Sequence, residues 1–340
     1  MTRTPAEFIT IPENPVPPGA DCFTLDRGDG HFARVAVFPC PDHKPARGAI
    51  TLVTGRSEFI EKYFEVIGDL HQRGLNVVVM DWRGQGLSSR YLDDRYKGHV
   101  ASFDDFVSDL RLVLHTVTKE TFAGPYLLLS HSMGGVPALQ LLGRGALTAD
   151  GEQVGTQTEA HDPFIDEIAG AILVAPMTHF FPGQMKRDYV RLLTKAAVAA
   201  GFANRQLLGV KEHSLSFEGN VLTSDAKRHA RFKALQDAKP EAMIFSPTYG
   251  WLNAATTAIE EIHSDTFKDK MRTPVMIVSA ENDMLIDAGD HRQLAQWHPN
   301  ITCVTVKGAM HEILMEDDHY RDQFWEIFDT FVEERLAATP

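Results

Sequence analysis

The chain alternates short apolar runs with longer stretches of amphipathic, helix-like pattern. Near-continuous apolar runs occupy "GAITLVTG" (Gly48 to Gly55), "NVVVMDW" (Asn76 to Trp82), "YLLLSHS" (Tyr126 to Ser132), "AGAILVAP" (Ala169 to Pro176), "PVMIVSA" (Pro274 to Ala280) and "ITCVTVKG" (Ile301 to Gly308). Runs this short, apolar on consecutive residues, suit strands buried on both faces of a parallel sheet. "HFARVAVFP" (His31 to Pro39) alternates instead and reads as an exposed antiparallel strand. Helices are predicted between them, over Phe59 to Arg73, Phe103 to Glu120, Gly135 to Leu142, Ala288 to Trp297 and His319 to Leu336. Strand–helix alternation of this kind predicts an α/β, doubly wound sheet. In such sheets the chemistry sits outside the carboxyl ends of the strands, so the residues just past each apolar run are the candidates.

Two stretches break the alternation. "RGALTADGEQVGTQTEAHDPF" is polar and Gly-rich and reads as a surface loop. From Met177 to about Trp251 the chain is rich in helix formers and basic residues and has no buried-strand run. Rising from the carboxyl end of one strand, such a helical insertion would cover that edge as a lid. The expected organisation is therefore a core of residues 1–176 and 252–340 with a helical cap at 177–251.

The run ending in "LLLSHSMGG" poses the main chemical question. A serine at a sharp strand-to-helix turn is lifted out of the sheet edge, and the turn needs small residues two before and two after it, where strand and helix backbones converge. Around Ser132, Gly134 meets the second requirement and Gly135 adds slack. Ser130 stands where the G-x-S-x-G pattern has glycine, but it is still small, and His131 lies between. A bland alternative is that Ser132 only turns the chain or caps the next helix. A nucleophilic serine needs a base and an orienting acid, which on this fold follow in the order Ser, Asp or Glu, His. Asp283 and His311 each fall just past one of the last two apolar runs, in that order. Taken singly, Asp283 reads equally as a turn residue and His311 as one of fifteen histidines. Glu281 is the reserve acid, while Asp287 sits where a helix should begin. The oxyanion formed on an attacked carbonyl needs two amides: that of Met133, after the nucleophile, and that of Arg56, just past the first parallel run.

Composition narrows the field. With 44% hydrophobic and 23% charged residues in 340, the chain can bury a large core. Its net charge of −13, without a long basic run, argues against nucleic acid. Three scattered cysteines, Cys22, Cys40 and Cys303, fit a reducing compartment. The proline-rich N-terminus lacks the apolar core of a signal peptide, and no window approaches the ~18 apolar residues of a membrane span. A cytoplasmic protein is expected, with peripheral membrane attachment left open. The His311-Glu312 pair is not followed by a second histidine at zinc-protease spacing, no phosphate loop occurs, and the glycines of "DWRGQGLSS" miss the dinucleotide spacing. No metal or organic cofactor is expected. Arg83 and His99 read as braces of loops rather than substrate contacts.

Together, "TGRSEFIEKYFEVIGDLHQRGLNVVVMDWRGQGLSSR", "KGHVASFDDFVSDL", "LLLSHSMGG", "NVLTSDAKRHARF", "PTYGWL", "ENDMLID" and "MHEI" resemble the alpha/beta hydrolase fold. Within it they are similar to the lysophospholipase L2 and monoacylglycerol lipase-like group of serine hydrolases, over roughly Ala49 to Phe331. The resemblance implies a triad of Ser132, Asp283 and His311, an oxyanion hole from the Arg56 and Met133 amides, and a cap whose apolar underside receives an acyl chain. Thr54-Gly55 stands where monoacylglycerol lipases carry His-Gly, which is nearer the lysophospholipase form. The expected activity is hydrolysis of a monoacyl lipid ester, with Lys186, Arg187 and Arg191 of the cap either attracting anionic head groups or forming a solvated face. Competing readings are an esterase or aminopeptidase-like hydrolase of small soluble substrates and a catalytically silent binding module. Oligomeric state is not read from the sequence.

Overall fold

The computed structural model describes residues 2–41, 44–145, 162–180, 187–207 and 216–338, with only the backbone of 145, 187, 188 and 338. Nine strands form one sheet: β1 (Arg3–Pro5), β2 (Asp21–Asp26), β3 (Phe32–Phe38), β4 (Gly48–Val53), β5 (Leu75–Asp81), β6 (Tyr126–His131), β7 (Ile168–Val174), β8 (Val275–Ala280) and β9 (Ile301–Val306). Their order is β1-β2-β3-β5-β4-β6-β7-β8-β9. From β5 to β9 every pairing is parallel, whereas β1, β2 and β3 pair antiparallel and β3 joins β5 antiparallel.

The central apolar runs are continuous because both faces of their strands are covered. Ile50 and Leu52 of β4, Val77 and Val79 of β5, and Leu127 and Leu129 of β6 enter one core cluster. Their neighbours Ala49, Val53, Val78, Met80 and Leu128 enter the other. Side chains of successive strand residues point to opposite faces, so a run apolar at every position is what two buried faces require.

The first face is covered by α1 (Phe64–Gln72) and α10 (Asp318–Ala338), through Ile67, Leu70, Phe324 and Phe328. The second is covered by α2 (Asp104–Val113), α4 (Gly135–Gly145), α7 (Tyr249–Ile262), α8 (Asp265–Lys270) and α9 (Ala288–Trp297). Phe106, Val107, Leu110, Val113 and Leu114 recur at helical spacing and all are buried. After α2 the chain continues through a π turn at Leu114–Thr118 into α3 (Lys119–Thr121). Thr118 there bonds Thr51 of β4, Oγ1 to Oγ1 at 2.8 Å, which satisfies both hydroxyls inside the core.

Three details differ from the sequence reading. β3 is antiparallel, but it is buried from Ala33 to Phe38 rather than exposed, because Ala33, Val35 and Val37 enter one core cluster and Ala36 and Phe38 the other. β9 is the outer strand, and Thr302, Cys303, Val304 and Thr305 are only partly covered or exposed, so it is not buried on both faces. The short strands β1 and β2 lacked a continuous apolar run and were not predicted.

Between Met177 and Trp251 the described elements are α5 (Arg187–Ala199), α6 (Ala226–Ala238), a 3-10 turn at Pro240–Ala242 and the start of α7. Asp225 caps α6, accepting hydrogen bonds from the Lys227 and Arg228 amides, and Thr248 caps α7 through the Trp251 amide. Helix α7 runs through residues 251 and 252 and returns the chain to the sheet, packing on α4. Residues 146–161 of the expected polar loop and Lys186 lie outside the described residues, as does the side chain of Arg187. Arg191 pairs with Glu260 of α7 rather than standing free. Among the described residues no helix is long and apolar enough to cross a membrane.

Candidate active site

Parallel strands point their carboxyl ends the same way, so the segments after β4, β6, β8 and β9 meet at one edge. After β6, Ser132 adopts φ 50°, one of three non-glycine residues with positive φ among the described residues. A left-handed serine is strained and persists only where its surroundings over-determine it. The surroundings here are tight: a Cβ on Gly134 would lie 2.6 Å from the Thr54 carbonyl oxygen, and one on Gly135 2.6 Å from Pro176 Cβ. Gly135 therefore does not add slack. Its missing side chain is what lets α4 pass the segment after β7.

The three residues picked from strand ends come together. Ser132 Oγ lies 2.9 Å from His311 Nε2, and His311 Nδ1 lies 2.7 Å from Asp283 Oδ2. Asp283 also accepts hydrogen bonds from the Leu285 and Ile286 amides through its other oxygen. Burial would raise its pKa, but the His311 hydrogen bond and charge and the two amides outweigh it and hold the carboxyl below its ordinary value. The reserve acid, Glu281, is used elsewhere, accepting from the Gly308 amide at 2.8 Å. Asp287 is the N-cap of α9.

Ser130 is buried at the end of β6, and its hydroxyl finds no partner among the described residues. An unsatisfied buried hydroxyl costs about 1–3 kcal/mol. Ser130→Ala should therefore raise stability by roughly 1 kcal/mol, read as a higher urea midpoint at unchanged slope. A lower midpoint would show that the hydroxyl is satisfied after all.

The neighbours of the trio form a buried ionic cluster that the sequence did not reveal. The carboxylate of Glu58 accepts from the Gly55 amide, Tyr63 Oη (2.6 Å), Lys62 Nζ (2.7 Å) and His131 Nδ1 (2.9 Å). Lys62 also donates to Glu312 at 2.7 Å, and His131 Nε2 lies 3.3 Å from the His311 carbonyl oxygen. One carboxylate thus links the loop after β4, the turn at Ser132 and the loop bearing His311. Burial opposes ionisation of Glu58, yet Lys62 and His131 hold it well below the usual range. His131 is raised, because Glu58 outweighs the burial that would lower it.

Gln85, from the "DWRGQGLSS" turn, donates to the Gly55 carbonyl at 2.7 Å and accepts from the Ser57 amide, and so fixes the loop that presents the Arg56 amide. Trp82 Nε1 donates to the Thr54 carbonyl in the same loop. Arg83 braces Asp109, and His99 bonds Thr248 at the entry to α7.

Over Ser132 and His311 opens a cavity of about 300 Å³. Met177, Phe180, Leu222 and Phe232 from the 177–251 stretch line it, together with Leu285 and Ile286. An apolar chamber over a serine–histidine–aspartate arrangement can hold an acyl chain with its carbonyl at the serine.

The family model described as "Serine aminopeptidase, S33" matches residues 44–318. The chain belongs to the S33 family of alpha/beta hydrolases. It is thus a serine hydrolase. It is 31% identical over 333 residues to lysophospholipase L2 of Escherichia coli K12, covering 94% of this chain and 84% of that protein. A probable lysophospholipase L2 of Haemophilus influenzae is 27% identical over 278 residues, 81% of this chain and 80% of that protein. Among solved structures, a soluble variant of the Saccharomyces cerevisiae monoglyceride lipase superposes with a TM-score of 0.67 at 17% identity, over 92% of this chain and 94% of that one. A thermostable carboxyl esterase of Bacillus coagulans gives 0.70 at 16% identity, over 93% and 99%. At such identities the structural likeness speaks for the fold alone.

Proposed function

We propose that this hydrolase cleaves the carboxylic ester of a monoacyl lipid, with Ser132 as nucleophile, His311 as general base and acid, and Asp283 orienting the imidazole. The observation that carries the reading is the continuous pair of hydrogen bonds from Ser132 through His311 to Asp283 at the floor of an apolar cavity. His311 Nε2 takes the Ser132 proton as Oγ attacks the ester carbonyl, and the Arg56 and Met133 amides receive the oxyanion. Collapse of that tetrahedral species expels the alcohol, which takes the proton from His311, and leaves the acyl group on Ser132. Water, deprotonated by His311, then adds to the acyl-enzyme and releases the fatty acid. The stretch 177–251 acts as the cap, since its side chains roof the cavity.

The names of the relatives favour a lipid substrate over a peptide, and so does the cavity. An α-ammonium group needs a carboxylate, and the described carboxylates lining the cavity, Glu58 and Glu312, are already engaged by Lys62. The test is a panel of short- and long-chain p-nitrophenyl esters, lysophosphatidylcholine, monoacylglycerol and aminoacyl-p-nitroanilides, with Ser132→Ala as blank. Turnover confined to short esters or to the anilides overturns the lipid assignment. Failure of a fluorophosphonate to label folded protein at Ser132 would return the chain to the class of silent binding modules.

Peripheral membrane contact through the cap is part of the same proposal. Tyr189, Leu192 and Leu193 share one face of α5 by their spacing and are 60%, 69% and 48% exposed. Apolar side chains of this size on a cap helix suit the interfacial zone of a bilayer. The double variant Leu192→Asp/Leu193→Asp should bind vesicles roughly tenfold more weakly in a sedimentation assay. Equal retention of variant and native protein would place the membrane contact elsewhere.

A further inference from the structure

The charges lining the cavity do not all cancel. Its described permanent cations are Arg56, Lys62, Arg228 and Lys233. Lys62 is held between Glu58 and Glu312, Arg228 between Glu65, Asp225 and Asp318, and Lys233 by Asp237. Arg56 has no carboxylate partner among the described residues. Its guanidinium donates to the Phe245 carbonyl and to Ser57 Oγ (3.2 Å) and lies 5.3 Å from the centre of the Trp251 ring. Two of the five guanidinium N–H groups are thus used, and the buried Nε has no acceptor among the described residues. Burial without a compensating anion lowers its pKa to about 10, which leaves it charged at neutral pH. The chain makes room for it: a Cβ on Gly98 would fall 2.6 Å from Arg56 Nη2.

A half-buried cation with no carboxylate partner among the described residues is stabilised by an anion that completes it. We propose that the anion is a phosphate carried by the substrate, and that the Arg56 guanidinium is the specificity-determining group by which this site prefers a monoacyl glycerophospholipid to a neutral monoacylglycerol. This deepens the proposed function and rests on it. The Arg56 amide is the proposed partner of the ester oxyanion, and its guanidinium stands one arginine side chain away on the cap side. In a 1-acyl glycerophosphate the carbonyl carbon and the phosphorus are separated by the glycerol carbons and two ester oxygens, a chain of comparable length. Carbonyl at the amide and phosphate at the guanidinium can therefore be held by the same residue, with the acyl chain left to the apolar lining.

The decisive quantity is the ratio of kcat/KM on decanoyl-lysophosphatidylglycerol to that on monodecanoylglycerol, because damage to the fold or to the oxyanion hole lowers both alike. Arg56→Gln should lower this ratio roughly tenfold or more. Gly98→Ala, which displaces the guanidinium without removing it, should lower it in the same direction. A ratio unchanged in Arg56→Gln overturns the inference and assigns Arg56 to anchoring Phe245. Inorganic phosphate that inhibits monodecanoylglycerol hydrolysis by the native protein only, with the ratio unaffected by the substitution, would make the site one for free phosphate and also overturns it. If the native protein hydrolyses neither lipid, the proposed function fails. Anion recognition is then read by itself, from calorimetric titration of decyl phosphate into Ser132→Ala and Ser132→Ala/Arg56→Gln. Weaker binding by the double variant supports the guanidinium as the anion site, and equal affinities refute it.

Discussion

Ser132→Ala should lower kcat on any hydrolysed ester by roughly 10⁶-fold while leaving the fold in place, since a triad acts as one unit and losing its nucleophile removes nearly all it contributes. What remains should be of the order of 10³–10⁴ above the uncatalysed rate, supplied by the oxyanion amides and substrate binding. Asp283→Asn is the sharper companion. It preserves shape, yet its NH₂ can no longer accept the proton on His311 Nδ1, so the imidazole is held in the wrong tautomer and kcat falls roughly 10⁴-fold. The Leu285 and Ile286 amides now bonded to Oδ1 keep a carbonyl oxygen available to them in the asparagine, so the turn itself should survive. Burst kinetics with a p-nitrophenyl ester, alongside circular dichroism, separates loss of chemistry from loss of structure. A Ser132→Ala protein that still turns over at a tenth of the native rate would require a different nucleophile.

The strand ends were readable because burial on both faces leaves a contiguous apolar signature, and Ser132, Asp283 and His311 each stand just beyond such a run. Asp287 could be told from Asp283 because a residue at the start of a helical pattern is needed as its cap, as it is here. The strands toward the two ends of the sheet were harder. β2 pairs on both sides, but its sequence "DCFTLD" mixes burial with polarity, and β9 looks apolar although Thr302 and Val304 are exposed. Least readable were contacts between distant residues. Glu58 meets His131 across 73 positions and Lys62 meets Glu312 across 250, and nothing periodic marks a charged residue as buried. Gln85 stands between two glycines with no sequence signal of its own, and its bonds to Gly55 and Ser57 depend on how two loops pack. The excess volume of Ser130 was visible, but its lack of a hydrogen-bond partner was not.

The largest effect on stability should come from Glu58. Its two oxygens accept four donors, so Glu58→Gln turns an amide NH₂ against either Lys62 and His131 or Gly55 and Tyr63, in a place closed to water. Breaking a buried ion pair by removing one partner costs roughly 3–5 kcal/mol, because the other charge is left uncompensated. Lys62 keeps Glu312, which sets the expectation at the lower end of that range. The sign of the pH dependence follows from the two directions of shift. Glu58 is depressed in the folded protein, so its contribution is present above the ordinary carboxylate value and is lost as the pH falls. His131 is raised, so its contribution is present below the ordinary imidazole value and is lost as the pH climbs through its folded pKa. The pair should therefore stabilise most between about pH 4.3 and 6.5 and less on either side. Urea midpoints across that range should peak in the native protein and flatten in Glu58→Gln. Because the same carboxylate holds the Gly55 amide and, through His131, the His311 carbonyl, kcat should fall as well, by about tenfold, the size expected when positioning rather than reacting groups are lost. An unaltered midpoint and pH profile in Glu58→Gln would mean that the loop after β4 and the His311 loop are held in place without the ionic cluster.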